Sequence, residues 1–267
     1  MSGARSGRSA GTGPTWVPLD ELAGAPYRRA LCYPGGRGVP GRLRELRGLG
    51  VDGVLFSGRT RVGGLPVAGK GTTSIVLLCR WRGVDAALKV RRTDSNRRSM
   101  LQEAGRLLKA NGCGVGPVHH ASSRNFIVME YLRGEGLGGW LAKAPGMDPA
   151  GVGAVVRDVL RQARRLDVCG IRHRELSDAS RHVLVGEAGV KVIDFETASD
   201  DPKGRNVSAV AQFMLLREGL GERMRRLLGA DRGTLLEALG AYRRDPSEAK
   251  FEAVMKALDG QGLKAGF

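Results

Sequence analysis

Short runs of apolar and β-branched residues begin near Gly58, over Arg61 to Val67, Ser74 to Arg80 and Asp85 to Arg91. The last two are separated only by the turn-like Trp81 to Val84, which predicts an antiparallel meander. The pattern then changes period. In RRSMLQEAGRLLKANG the residues Met100, Leu101, Ala104, Leu107 and Leu108 recur at helical spacing, and Asn111-Gly112 is a favourable stop. Phe126 to Met129 reads as a further strand. After Gly134 the chain turns mostly helical: Pro149 opens a long helix running to Cys169-Gly170, two short strands follow at Val183 to Val185 and Val190 to Ile193, and three more helical segments complete the chain. Upstream, PLDELAGAPYRRALCYP and GRLRELRGLGV predict two short helices around a Pro/Gly-rich turn at Pro34 to Gly41. The pattern thus predicts an α+β protein: a flexible leader over residues 1–15, a separate helical element over 16–58, a small antiparallel β lobe with one helix over 59–133, and a mostly helical lobe over 134–267. Two unlike layers of this kind lead us to expect a cleft, with chemistry in it.

Composition narrows the class. A chain of 267 residues with 42% hydrophobic and 26% charged residues can bury a core without metal or disulfide staples, and no uncharged apolar run approaches the roughly 20 residues of a membrane span. The first fifteen residues lack the apolar middle of a secretory signal, so the cytoplasm is the expected compartment. Cys32, Cys79, Cys113 and Cys169 lie tens of residues apart with no C-x-x-C, which predicts reduced, unpaired thiols. Charge is the strongest compositional signal. With 43 Lys+Arg against 27 Asp+Glu, the formal charge is +16, which attracts RNA, DNA, acidic proteins and nucleotides alike. Only 5% of residues are aromatic, and no platform of aromatic residues interleaved with basic ones is expected.

Candidate chemistry starts with the glycines. GKGTTSIV, Gly69 to Val76, reads as G-x-G-x-x-S-x-V between two strands, where bare backbone can approach phosphates. Gly64 to Lys70 also spells G-x-x-x-x-G-K, but the next residue is Gly71, and a strand-like run follows instead of a helix, so a P-loop NTPase is not expected. In VDAALKV, Lys89 stands among apolar strand neighbours and calls for an anion. Glu103 follows fourteen residues later on the amphipathic helix. Further on come FIVMEYLRGEGL, HRELSDASRHVLV and VIDFETAS, in which Asp194 ends an apolar strand as a hard oxygen ligand would.

Taken in order, these passages resemble the atypical, RIO-like branch of the protein kinases, and within it a group of small archaeal serine/threonine kinases. The resemblance spans roughly residues 61 to 216. It implies a bilobal protein-kinase-like fold with a shortened helical lobe, ATP and magnesium as cofactors, and transfer of the γ-phosphate to serine or threonine. On this resemblance Gly69, Gly71, Ser74 and Val76 cover the nucleotide, Lys89 holds its phosphates and pairs with Glu103, and backbone groups near Glu130 and Leu132 bond the adenine. Asp194 holds the metal and Glu175 orients the attacking hydroxyl.

Four departures stand out. Glu175 replaces the catalytic aspartate of the H-R-D segment. The usual magnesium-binding Asn is missing: counting gives Ser180, whereas aligning the strand VLV gives His182, a poorer magnesium ligand. Asp178 is a reserve base. Glu196 replaces the glycine of D-F-G, and fewer than fifteen residues separate Phe195 from the helix expected near Asn206, too few for a regulated activation loop. Two other readings stay open: a pseudokinase that binds nucleotide without transferring phosphate, and an RNA- or ribosome-associated module using the basic surface. The cluster KVRRTDSNRR, Lys89 to Arg98, is either a solvated loop or a patch for RNA or an acidic substrate.

Overall fold

The computed structural model describes residues 14–259 apart from 188 and 204, so the expected leader lies almost entirely outside the described residues. Two compact units share the chain: the first takes residues up to Met100 together with His120–Tyr131, and the second takes Leu101–His119 and everything from Leu132 onward. Among the described residues, no helix is long and apolar enough to cross a membrane.

The first unit is built on a seven-stranded antiparallel sheet. Its elements in chain order are β1 (Thr15–Pro18), α1 (Arg28–Leu31), α2 (Val39–Leu49), β2 (Val51–Phe56), the hairpin β3 (Thr60–Val62) and β4 (Leu65–Val67), β5 (Gly69–Lys70), β6 (Ser74–Trp81), β7 (Val84–Arg91), β8 (His119–Ser122) and β9 (Phe126–Glu130). The sheet order is β1-β2-β6-β7-β9-β8, with β5 also pairing β6. The expected meander of β6 and β7 is present, extended by one residue at the end of β6 and at the start of β7.

Residues 16–58 do not form the separate helical element expected of them. β1 and β2 belong to the sheet, β2 lying directly against β6, and only α1 and α2 are helical in that stretch apart from a 3-10 turn at Leu19–Ala23. Alternation sorts the strands. Ile75, Leu77 and Cys79 of β6, Ala86, Leu88 and Val90 of β7, and Phe126 and Val128 of β9 enter one core with Leu31, Leu46, Val54 and Phe56. The opposite face carries Val76, Leu78, Ala87, Lys89, Ile127 and Met129, and Val76, Lys89 and Ile127 lie on a single rung.

A buried cation ties α2 to this sheet. Arg42, 4% exposed, donates to the carbonyl of Leu31, to the carbonyl of Arg91 (2.7 Å) and to Oδ1 of Asn125 (3.3 Å), with its guanidinium 5.7 Å from the centre of the Phe126 ring. Glu45, one turn further along α2, accepts from the Asn125 amide (3.0 Å), from its side-chain Nδ2 and from Ser123 Oγ (2.6 Å).

The second unit contains α3 (Leu101–Gly112), β10 (Glu135–Gly136), α4 (Leu137–Lys143), α5 (Pro149–Val168), β11 (Ile171–Arg172), β12 (Val183–Gly186), β13 (Gly189–Val192), β14 (Ser199–Asp200), α6 (Asn206–Ala211), α7 (Leu220–Leu228), α8 (Arg232–Arg244) and α9 (Glu248–Lys256). α5 is the central helix, with Pro149 in its first turn and Asp148 capping it by accepting from the Gly151 amide at 2.9 Å. Its C-terminal turn carries a buried anion. Asp167 accepts from the amide (2.8 Å) and Nδ2 (2.7 Å) of Asn206, from the Val207 amide (3.3 Å) and from Tyr242 Oη (2.9 Å).

α3 is helical as expected, but its buried side is Glu103, Ala104, Leu107 and Ala110, while Leu101 and Leu108 are 53% and 51% exposed. The helix is rotated from the face that the leucines alone define, because one stripe three to four residues apart runs through Glu103, Leu107 and Ala110, and a second runs through Leu101 and Leu108. The expectation of four unpaired thiols is also corrected: Cys113 and Cys169 form a disulfide, with Cα atoms 6.5 Å apart, and only Cys32 and Cys79 are free and buried. These two cysteines follow α3 and α5, whose C-terminal ends adjoin, and Arg165 of α5 donates to the Gly114 carbonyl at 3.3 Å.

Candidate functional site

In the second unit the hairpin of β12 and β13 places the acidic loop. Val183 pairs with Val192, and just beyond that pair the Ile193 amide donates to the His182 carbonyl at 2.9 Å, which brings His182 beside the segment holding Asp194. Asp194 itself adopts a left-handed backbone, φ 67°, a conformation that a short polar residue tolerates and that reaims the chain into the 3-10 turn Phe195–Thr197. Two groups of metal-capable side chains share it. Glu175, His182 and Asp194 each offer an atom within 4.8 Å of the others, and so do Glu103, Asp194 and Glu196.

The surroundings hold these residues from behind. His173 is 2% exposed. Its backbone amide donates to Asn206 Oδ1 (2.8 Å), its Nε2 lies 3.0 Å from the Ile193 carbonyl, and its ring meets Phe195 edge-on at 5.3 Å. Burial pushes its imidazole below the usual histidine range, opposed by the Ile193 carbonyl. Phe195 in turn lies against Gly116, where a Cβ would come within 2.9 Å of its ring and where φ is +88°, so glycine is required twice over. Arg106 of α3 donates to the Glu196 carbonyl at 2.6 Å, and Lys109 pairs with Asp200. α3 is thereby fixed to the segment that carries Asp194 and Glu196. Asp178 is exposed, accepts from Ser180 Oγ at 2.8 Å, and is in neither group of metal-capable side chains.

In the first unit the glycine hairpin is ordered by local bonds. The Gly71 amide donates to the Ser74 carbonyl at 2.8 Å, Gly69 pairs with Val76, and Val76 pairs with the buried Lys89. Arg92 donates to the Gly71 carbonyl at 3.0 Å and to Asp94, and stands 5.1 Å from the centre of the Tyr33 ring, as does Lys70. The basic cluster is therefore not simply a solvated loop, since Arg91 is also turned inward to Asn125 at 2.9 Å. Burial pushes the His120 imidazole down, only partly opposed by Glu130 at the end of β9. Aromatic and basic residues do come together here, against expectation: Trp81 stacks on His120 at 4.7 Å beneath Arg82, and Arg80 lies over the partly exposed Trp16.

No protein-family profile matches the chain. Over 91 residues it is 32% identical to Uncharacterized protein MJ1211 of Methanocaldococcus jannaschii, an alignment that takes in 34% of this chain and 74% of that protein. The chain belongs to the MJ1211 family. In this member of the MJ1211 family, the residues singled out by sequence divide between the units: Gly69, Gly71, Ser74, Val76, Lys89 and Glu130 lie in the first, and Glu103, Leu132, Glu175, His182 and Asp194 in the second. The resemblance already set Glu175, His182 and Asp194 at one site, whereas the association of Glu103 with Asp194 and Glu196 is not legible in the sequence.

Proposed function

We propose that the protein is an ATP-dependent phosphotransferase of the protein-kinase-like type, bilobal in design, which transfers a γ-phosphoryl group to a serine or threonine hydroxyl of its own chain or of another. The observation that carries this reading is Asp194, which ends an apolar hairpin in a left-handed conformation and is shared by two groups of metal-capable side chains.

Oxygen-only donors at Glu103, Asp194 and Glu196 fit a magnesium ion, which prefers hard oxygen ligands; when bound, it would neutralise charge on the phosphates. In the first unit, the glycine hairpin at Gly69 and Gly71, with buried Ser74, offers backbone to phosphates, and Lys89 supplies the cation. Val76, Ala87 and Met129, on the same sheet face as Lys89, form an apolar surface suited to a base, and the backbone from Glu130 to Leu132 would bond its edge. Glu175 would accept or orient the hydroxyl that attacks.

Calorimetry with ATP and magnesium tests the reading. Lys89→Ala and Lys89→Arg should both weaken ATP binding with the fold intact, because a planar guanidinium does not reproduce a compact ammonium. Asp194→Asn should abolish the magnesium dependence. With labelled ATP, Glu175→Gln should keep nucleotide affinity and slow transfer by about 10²- to 10⁴-fold. Unchanged ATP affinity in the Lys89 variants sinks the proposal. ATP binding with no transfer to any acceptor leaves a pseudokinase, which the replacements at Glu175, His182 and Glu196 favour. A role in RNA association draws on the net charge of +16 and on the pairing of exposed Trp16 with Arg80. Salt-dependent binding of single-stranded RNA, lost in Trp16→Ala, would support it.

A further inference from the structure

We propose that Cys113 and Cys169 are a reversible redox modification site, a disulfide that a dithiol opens in the native protein and that sets how firmly the Asp194 segment is held. The bond lies where a reagent reaches it. Cys113 is half-buried between the exposed Gly112 and Gly114, and the half-buried Cys169 follows Val168, which is 64% exposed. Exposed disulfides are the ones that thiols open readily, whereas cysteines sealed in a core, as Cys32 and Cys79 are, stay inert. The reduced state also has a place for its hydrogen. Cys113 Sγ is 3.3 Å from the Lys109 carbonyl, an acceptor that a disulfide sulfur has no proton to offer and that a thiol S–H satisfies.

Both cysteine loops lead to one ring. Gly116, three residues after Cys113, lies against Phe195, and His173, four residues after Cys169, meets that same ring edge-on at 5.3 Å. Phe195 adjoins Asp194. The disulfide therefore closes a circuit through Gly116, Phe195 and His173, and every member of it lies in the second unit. With the bond open, the adjoining ends of α3 and α5 keep the exposed hydrogen bond from Arg165 to the Gly114 carbonyl, for which water competes. The loops that back Phe195 are then free to move apart, and Asp194 is held less firmly.

The step is a thiol–disulfide exchange. A thiolate of the dithiol attacks one protein sulfur, the Cys113–Cys169 bond breaks, a mixed disulfide forms, and the displaced thiolate takes up a proton. The second thiol of the reagent then closes its own disulfide and releases the other protein thiol, so that two electrons and two protons have passed to the protein. Oxidised glutathione reverses the change and leaves as two reduced molecules.

The inference does not depend on phosphoryl transfer. The full-length protein is oxidised and then incubated, still folded, with dithiothreitol; alkylation with mass spectrometry counts the opened thiols, and hydrogen exchange follows the amides. Labelling of Cys113 and Cys169 is expected, with Cys32 and Cys79 untouched. In the reduced protein the hydrogen-bonded amides of Val115, His173 and Ala198 should exchange about tenfold faster, a fraction of what a cross-link contributes, while those of β6 and β7 keep their rates. Oxidised glutathione should restore the slow rates. The double variant Cys113→Ser, Cys169→Ser should exchange at the reduced rate with or without dithiothreitol; should it fail to fold, the wild-type protein alone decides. The inference is overturned by a bond that dithiothreitol leaves closed in the folded protein, by unchanged exchange at the three amides, or by an equal acceleration in β6 and β7, which is the behaviour of a plain cross-link.

Discussion

Each unit buries a hydrogen-bonded charged side chain on a helix, a cation in the first and a carboxylate in the second. In the first, Arg42 on α2 is surrounded by the Leu31 and Arg91 carbonyls and Asn125, and burial pulls its guanidinium down from the ordinary range. In the second, Asp167 at the end of α5 is surrounded by Asn206, Val207 and Tyr242, and burial pushes its carboxyl up against four donors that hold it down. Both join helices to segments remote in sequence, but they end differently. The Arg42 network closes on Glu45 and Ser123. The Asp167 network runs on through Asn206 to the His173 amide, and next to it lie His173 Nδ1, His182 Nδ1 and Glu175 Oε2, all without hydrogen-bond partners among the described residues. A closed network is a staple, whereas one that leads to unsatisfied polar atoms positions a site.

Substitutions can break this comparison, the largest first. Asp167→Ala leaves the Asn206, Val207 and Tyr242 donors without their acceptor, and should cost about 3 to 5 kcal/mol in denaturant unfolding. A loss under about 1 kcal/mol would show the anion to be dispensable. Arg42→Leu deprives carbonyls of a donor, and carbonyls tolerate this better than amides do, so about 2 to 3 kcal/mol is expected, with faster hydrogen exchange in α2. Exchange in α2 as slow as in wild type would argue against the stapling role. Tyr242→Phe sharpens the picture: it removes one donor in four and should cost only about 1 kcal/mol, read in the same unfolding experiment.

How much of this is legible in the sequence depends on the range of the forces involved. β6, β7 and β9 are readable because β-branched and apolar residues concentrate there. β1 and β2 are not: TWVP is four residues ending in proline, and in VDGVLF the register shift between Val51 and Gly53 disturbs the period of two, so Val51 reads as the end of a helix. The Cys113–Cys169 pair is unreadable because its sulfurs meet only once α3 and α5 have packed. At the site, aligning VLV places His182 beside the Asp194 segment, since strand pairing is a local rule. The approach of Glu175 depends on a 3-10 turn whose sequence, RELSD, carries no periodic signal. Nothing local in the sequence singles out Arg42 or Asp167, because the partners that surround them are remote along the chain.

The disulfide gives the two-unit arrangement an unusual connectivity. The chain leaves the second unit after His119, contributes residues through Tyr131 to the first, and returns at Leu132, so both crossings fall between Cys113 and Cys169. With the cysteines 56 residues apart in sequence, closing that ring removes roughly 4 kcal/mol of entropy from the unfolded chain. It also makes the second passage redundant as a tether: a single proteolytic nick anywhere inside the ring yields two polypeptides that still migrate as one molecule until a reductant opens the sulfur bond.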